Sequence, residues 1–393
     1  MSPEVKFDTS RSAAIKMYID EAEPHPLQQA RAPSPARWST LKSAMMIVFL
    51  ISIFVLTSSI AEARSPNADR TTGRPKQTTT DSTTSTTTSV QTDKVFSQTS
   101  FWYTPIPENV ALHPNTEGFK KDFLRQKSIY YNTVNIQTRD YASPVYIAVA
   151  GQATTRVTQW DCQKKGYSDT SLAEQWSAVP IPDYAQQSKG TDGEMTIYQP
   201  STDTLWEFWQ ARKVDGKWQA CWGGRMQYAS TNNGVFYGHY GTTATSLPFI
   251  GGQITAEELQ RGEIRHAIGI ALVEVEHYPT FSWPAHRSDG WNPNGYANRI
   301  PEGMRFRLDP SVNVDALSMS VAGKVIAKAA QKYGFIVWDK SGAIAIRAQN
   351  SVSYTALGQV DPYPALFSGL PNYAVLNGFP WDRLQFLPMN YGK

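Results

Sequence analysis

The sequence predicts a mainly β protein, a β-sandwich or jelly-roll-like body carrying two or more short helices, on three observations. From about Val95 onward, short β-branched and aromatic runs alternate with turn residues. Helical periodicity is confined to two places, and no internal repeat suggests a propeller.

The expected strands, in order, are "VYIAVA" from Val145, "TTRVTQW" from Thr154, "MTIYQP" from Met195, "VFYGHYG" from Val235, "HAIGIALVEV" from His266 and "FIVWDKSGAIAIR" from Phe335. The first expected helix, "AEELQRG", opens on a capping box, Thr255 with Glu258 three residues on, and stops at Gly262. The second, "VAGKVIAKAAQKYG", lines up Val321, Val325, Ala329 and Tyr333 before Gly334 ends it.

One stretch fixes a register. "DTLWEFWQARKVDGKWQACWGGRM", Asp203 to Met226, holds four tryptophans around one acid, Glu207. Asp215-Gly216 is a two-residue hairpin turn, so paired positions sum to a constant. Trp209 then faces Trp222 and Glu207 faces Gly224, while Trp206, Phe208, Gln210 and Cys221 point the other way.

Four segments are expected along the chain of 393 residues. Residues 1–41 read as a disordered stub. Residues 42–63 contain the apolar run "SAMMIVFLISIFVLTSSIAEA", close to the roughly 20 residues of a spanning helix, and end on Ala61-Glu62-Ala63, which has the form of a signal-peptidase site. A cleaved signal peptide and a retained membrane anchor both fit. Residues 64–94 form a Thr/Ser-rich linker that cannot bury a core, and 95–393 form a single globular body of roughly 300 residues, long enough for a real core.

Composition narrows the function. A net charge of +3 spread over scattered Lys and Arg argues against nucleic acid as a partner. Twelve Trp, nineteen Tyr and sixteen Phe supply either sheet cores or faces that stack on sugar rings. The only cysteines, Cys162 and Cys221, fall in the exported part, where a disulfide is the usual outcome and two buried thiols the alternative. No zinc spacing and no cofactor motif is present.

Candidate site residues follow from these patterns. Glu207, beside Trp209 and Trp222 with a notch at Gly224, suits a saccharide whose apolar face stacks on indole; pairing to Arg225 or Arg212 at an aromatic core is the structural alternative. Trp206 and Tyr237 complete the candidate ligand-binding set with Arg225. His239 lies in "YGHYG", where backbone can approach a ligand. His266 shares a face with Ile264, Ile268, Ile270 and Leu272, the pattern of a core histidine. Arg287 and Asp289, with His286, stand on the polar segment "WPAHRSDG". A histidine, a tyrosine and an arginine together would suit β-elimination from a sugar acid. A hydrolase would pair Glu207 with Asp203, Asp289 or Asp339. The loop "SDGWNPNG" admits calcium through its oxygens, with plain turns as the alternative.

The segments "SFWYTPIPENVALHP", "ATSLPFIGGQITAEELQRGEIRHAIGIAL", "PAHRSDG", "IPEGMRFRLDP", "KYGFIVWDKSG" and "FPWDRLQFLP", with the tryptophan-rich stretch, resemble exported bacterial proteins common in actinobacteria. The resemblance covers most of the chain from about Ser97 and implies export and one globular unit; it implies no activity. The sequence therefore leads to an exported or surface-tethered carbohydrate-active protein, a glycoside hydrolase or polysaccharide lyase acting on envelope or extracellular glycan, tethered to the membrane if the apolar segment is retained. A non-catalytic glycan-binding module and a structural surface protein are the alternatives.

Overall fold

The computed structural model describes residues 94–393, so the stub, the apolar segment and the linker expected before Lys94 lie outside the described residues. In chain order the strands are β1 (Asn135–Gln137), β2 (Val145–Ile147), β3 (Thr158–Gln159), β4 (Met195–Gln199), β5 (Thr204–Trp209), β6 (Arg212–Val214), β7 (Lys217–Ala220), β8 (Trp222–Gln227), β9 (Ile268–Leu272), β10 (Arg305–Leu308), β11 (Phe335–Lys340), β12 (Ala345–Arg347) and β13 (Leu384–Phe386). The helices that bear on the site are α1 (Thr116–Ile129), α2 (Thr170–Gln175), α3 (Phe249–Gly252), α4 (Ala256–Arg261) and α5 (Val321–Lys332).

Three sheets result: β1-β12-β9-β11-β10-β13, β2-β4-β5-β8 and β3-β7-β6. Helix and strand contribute near-equal shares, so the body is mixed rather than mainly β. Parallel pairs occur in every sheet, β1 with β12, β9 with β11, β2 with β4 and β3 with β7, whereas a jelly roll is antiparallel.

Alternation along the strands explains how the sheets stack. In the large sheet, Ile268, Ile270, Phe335, Val337, Ile344 and Ile346 point to one side and pack with Phe119, Phe123, Ile326 and Ala330 of α1 and α5. On the other side, Ala271, Ile336 and Trp338 share a cluster with Tyr198, Leu205 and Met226 of the four-stranded sheet, filled out by Trp102, Phe236 and Phe249. The far side of that second sheet buries Ile197, Trp206 and Phe208 against Trp176, Trp218 and Ala220. One aromatic layer thus joins the two larger sheets, and helices cover the outer face of the first.

The tryptophan hairpin keeps one register throughout. Glu207 pairs with Gly224 and Trp209 with Trp222 in the second sheet, and Arg212 with Gln219 and Val214 with Lys217 in the third. Asp215 and Gly216 both adopt positive φ, 47° and 76°, as a type I′ turn requires. The ribbon changes sheets at Gln210, itself at φ 49°, and opposite that bend Cys221 is joined to Cys162 by a disulfide with Cα atoms 5.6 Å apart.

Both expected helices form. Thr255 and Glu258 cap α4 reciprocally and Gly262 closes it at φ 79°. Helix α5 ends before Gly334, but its buried stripe is Ala322, Val325, Ile326, Ala329 and Ala330, and Val321 is exposed. One expected strand is absent among the described residues, and one long helix is additional. The segment from Val235 is a loop, because Gly238 and Gly241 take positive φ there, 59° and 103°. Helix α1 was not expected: its buried stripe, Phe119, Asp122, Phe123 and Gln126, is half polar, and Asp122 is held by Arg125 and Arg299.

Candidate functional site

The layer between the two larger sheets is aromatic in its middle and carboxylate-rich beside it. On β4 and its approach, Glu194 and Thr196 have the parity of Tyr198, which joins the layer; on β5, Glu207 and Trp209 have the parity of Leu205; on β8, Trp222 and Gly224 have that of Met226. Across from them, Arg347 of β12 lays its guanidinium over the rings of Phe249 and Trp338, at 4.5 and 5.6 Å. Asp339 joins them through a β-bulge. The ladder between β11 and β9 slips between Val337 and Asp339, so Asp339 pairs with Ala271, a residue of the interlayer cluster. Its Oδ2 lies 3.6 Å from Arg347 Nη1.

Glu207 is fully buried. Its Oε1 accepts from the Ile250 amide at the start of α3 (3.2 Å) and from Thr196 Oγ1 (3.4 Å), and its Oε2 accepts from Thr242 Oγ1 (3.0 Å). The notch at Gly224 is filled: a Cβ there would sit 3.0 Å from Tyr240 Cβ and 3.1 Å from the Phe236 ring. The loop Phe236–Ser246 therefore seals Glu207 off, and the expected open cleft with Glu207 as its acid is not the geometry of this face. Burial pushes its carboxyl up to about 7, against the hydrogen bonds, which pull it down.

Asp339 keeps 19% of its side chain exposed. Burial, with the charges of Asp289 and Asp192, raises it to about 7, while Arg347 opposes the rise. Burial and the Asp192 charge lift Glu194 well above the ordinary range, and burial and the Asp289 charge do the same for Glu302. Buried groups in this zone also lack hydrogen-bond partners among the described residues: Glu194 Oε2, Glu302 Oε1, Arg347 Nη1, and the indole nitrogens of Trp222 and Trp338. Asn135 Oδ1, Trp176 Nε1 and Glu258 Oε1, elsewhere in the described core, are in the same position, so these atoms do not by themselves single the zone out.

The remaining candidates fall around this zone. Trp209 is half-buried, with Nε1 3.4 Å from Asp192 Oδ1. Asp289 is exposed at the rim; Lys340 Nζ donates to its backbone carbonyl (3.0 Å) and lies 3.8 Å from its carboxylate. Arg287 donates from Nε to Ser246 Oγ (3.1 Å) and from Nη2 to Thr243 O (2.7 Å), bracing the sealing loop. On the outer side of that loop His239 and Tyr240 stack on Trp222, at centroid distances of 5.6 and 5.9 Å. Asp169 lies beneath them, 3.9 Å from His239 Nε2 and 3.3 Å from the Tyr240 hydroxyl. Burial lowers the His239 pKa, Asp169 opposes the shift, and Arg287 adds to it.

Other expected site residues lie apart. His266 is 3% exposed, with Nε2 3.2 Å from Glu258 Oε2 and Nδ1 2.8 Å from Ala267 O, a core position rather than a catalytic one. Trp206 is buried, its Nε1 donating to Gln175 O (3.1 Å) on the opposite face of the sheet. Arg225 pairs with Trp206 across the ladder and is half-buried; Tyr237 is exposed on the loop. In "SDGWNPNG", Asn292 spends its side chain on Glu276 and on the backbone of Tyr296. Among the described residues no group of three or more His, Cys, Asp or Glu is arranged to hold a metal ion.

Sequence reading missed Asp169, Asp192, Glu194, Glu302 and Arg347. A parity count carried back from Glu207 through the β4–β5 pair would have found Glu194; the others need the tertiary fold.

The chain matches no protein-family model, no curated protein and no solved structure.

Proposed function

We propose that the body is an exported carbohydrate-active protein that cleaves an envelope or extracellular glycan. The observation that carries this reading is Asp339, a carboxyl that the β11 bulge brings opposite Ala271 and within 3.6 Å of Arg347, that keeps 19% of its side chain exposed, and whose pKa burial and the charges of Asp289 and Asp192 raise. A general acid of hydrolysis must hold its proton near neutral pH, and a partner carboxylate must be ionised. In this reading Asp339 protonates the glycosidic oxygen, Asp192 serves as base or nucleophile, and Trp209 offers a ring face to the sugar. Glu207 acts beneath them as a structural carboxyl that anchors α3 and the sealing loop.

Export is supported by the Cys162–Cys221 disulfide, since such bonds persist in oxidising compartments. The Thr/Ser tract, the apolar segment of residues 43–63 as membrane entry, and the resemblance to exported actinobacterial proteins agree with it. The shared aromatic layer supports a sandwich-like stacking of the two larger sheets.

A second reading is favoured by the approach of His239, Tyr240 and Asp169 over the Trp222 indole. There His239 or Tyr240 would take the proton beside a sugar carboxylate, as in a lyase. The test is full-length protein against a panel of envelope and extracellular polysaccharides, scored for new reducing ends and for unsaturated, ultraviolet-absorbing ends. Saturated products support hydrolysis and unsaturated ones the lyase. Binding without cleavage leaves the glycan-binding module, and neither leaves a structural surface protein.

A further inference from the structure

An open groove of about 480 Å³ lies between the loop 186–193 and the bend where the tryptophan hairpin changes sheets. That volume is within the range of small-molecule and oligomer subsites, about 300–1,000 Å³. Its base is built. Trp160 Nε1 donates to Gln210 O (3.0 Å), and the Arg212 guanidinium lies over the Trp160 indole at 3.7 Å. Arg212 Nε and Nη2 both donate to Gln219 Oε1, at 3.1 and 3.0 Å, so stacking and hydrogen bonding fix the guanidinium plane.

The walls are tied to each other rather than loosely apposed. The Gln210 amide donates to Asp192 O (2.6 Å) and the Ala211 amide to Gly193 O (2.9 Å). Glycine at 193 is required by this approach: it sits at φ 46°, and a Cβ would lie 3.0 Å from Ala211 O. Amides and hydroxyls, including Gln186 and Thr191, make up most of the polar lining, and its only charged residues are Lys189 and Arg212.

We propose that this groove binds an acidic polysaccharide, with uronate carboxylates held by Arg212 and Lys189 and ring hydroxyls by the amide and hydroxyl wall. Gln219 takes the Nε–Nη2 edge of Arg212, so a carboxylate would meet the Nη1 side of the held guanidinium plane. Among the described residues that line the groove none is a carboxylate, so the charge on its own walls is positive. The inference rests on the carbohydrate-active reading and names its substrate class. Asp192, proposed above as base or nucleophile, stands in sequence between two groove residues, Thr191 and Gly193, with its carboxylate 3.4 Å from Trp209 Nε1.

The test is calorimetric titration of the full-length protein in detergent with an oligo-uronate and with a neutral oligosaccharide of the same length and linkage. The uronate should bind at least tenfold more tightly, and raised salt should shrink that advantage. Lys189→Glu, at an exposed position, should weaken uronate binding at least tenfold with an unchanged melting temperature; Arg212→Gln should weaken it as much but also lower the melting temperature, because it removes the stacking on Trp160 and the bonds to Gln219. No uronate binding, equal binding of the neutral chain, or indifference to Lys189→Glu would overturn the assignment. The two claims fail separately: Asp339→Asn should lose cleavage yet keep the uronate affinity. Groove variants that bind normally while the wild type cleaves glycan would remove the groove alone. Groove variants that lose binding in a protein that cleaves nothing would remove the enzyme reading alone.

Discussion

Arg347 Nη1 lies 3.6 Å from Asp339 Oδ2, and the same guanidinium covers the rings of Phe249 and Trp338. Its charge is the largest opposing influence, ahead of the Lys340 amide, on a carboxyl that burial and two neighbouring acids push up to about 7. Arg347→Gln should therefore move the Asp339 titration further upward. Carboxyl carbon NMR of selectively labelled protein reads this directly, and an unmoved titration would show that the pair is not electrically coupled.

Stability should fall as pH rises from about 4.5 to about 7. A carboxyl raised in the folded state contributes its full stability below the unfolded value and loses it as pH climbs through the folded one. Glu207 shifts from 4.5 to about 7, and at about 1.4 kcal/mol per pKa unit its share is at most roughly 3.5 kcal/mol. Asp339, Glu194 and Glu302 act in the same direction. Below that window the trend reverses: burial pushes Glu258 and Glu274 up, but His266 and Tyr130 with Arg125 respectively outweigh it, so both carboxyls are held down and lose stability on protonation. Melting temperature against pH should peak on the acid side of neutral, and Glu207→Gln should flatten the alkaline limb. A curve that climbs through neutrality would contradict the assignment.

Gly224→Val should destabilise by about 1–3 kcal/mol through overpacking, because the space a side chain needs is taken by Tyr240 and Phe236. Denaturant melts measure it. If the sealing loop yields instead, the variant keeps its stability and Glu207 becomes reachable by carbodiimide labelling.

Replacing both Cys162 and Cys221 by serine should cost about 2–4 kcal/mol, since the bond spans 59 residues of sequence and restrains the unfolded chain. Equal unfolding midpoints for wild type and variant would mean the ribbon bend needs no such tie.

The hairpin register was legible because Asp215-Gly216 demands one turn type, and pairing then follows by counting. The caps of α4 were legible for the same local reason. The fate of Glu207 was not, because the filling of its notch depends on Tyr240 and Phe236, which arrive from a loop whose glycines turn it away from strand geometry. Asp339 was legible only as one of three possible partners for Glu207, because its turn inward depends on a bulge against β9. Helix α1 was masked by polar residues in its buried stripe, whose partners include Arg299 and Glu274 from distant segments.

The most direct measurement is the glycan-cleavage rate of Asp339→Asn beside the wild type, with melting temperature and oligosaccharide affinity measured on the same preparations. If Asp339 is the general acid, the turnover rate falls by about 10²–10⁴, the pH profile loses the limb near 7, and both controls stay unchanged. A variant that cleaves at the wild-type rate would contradict the account.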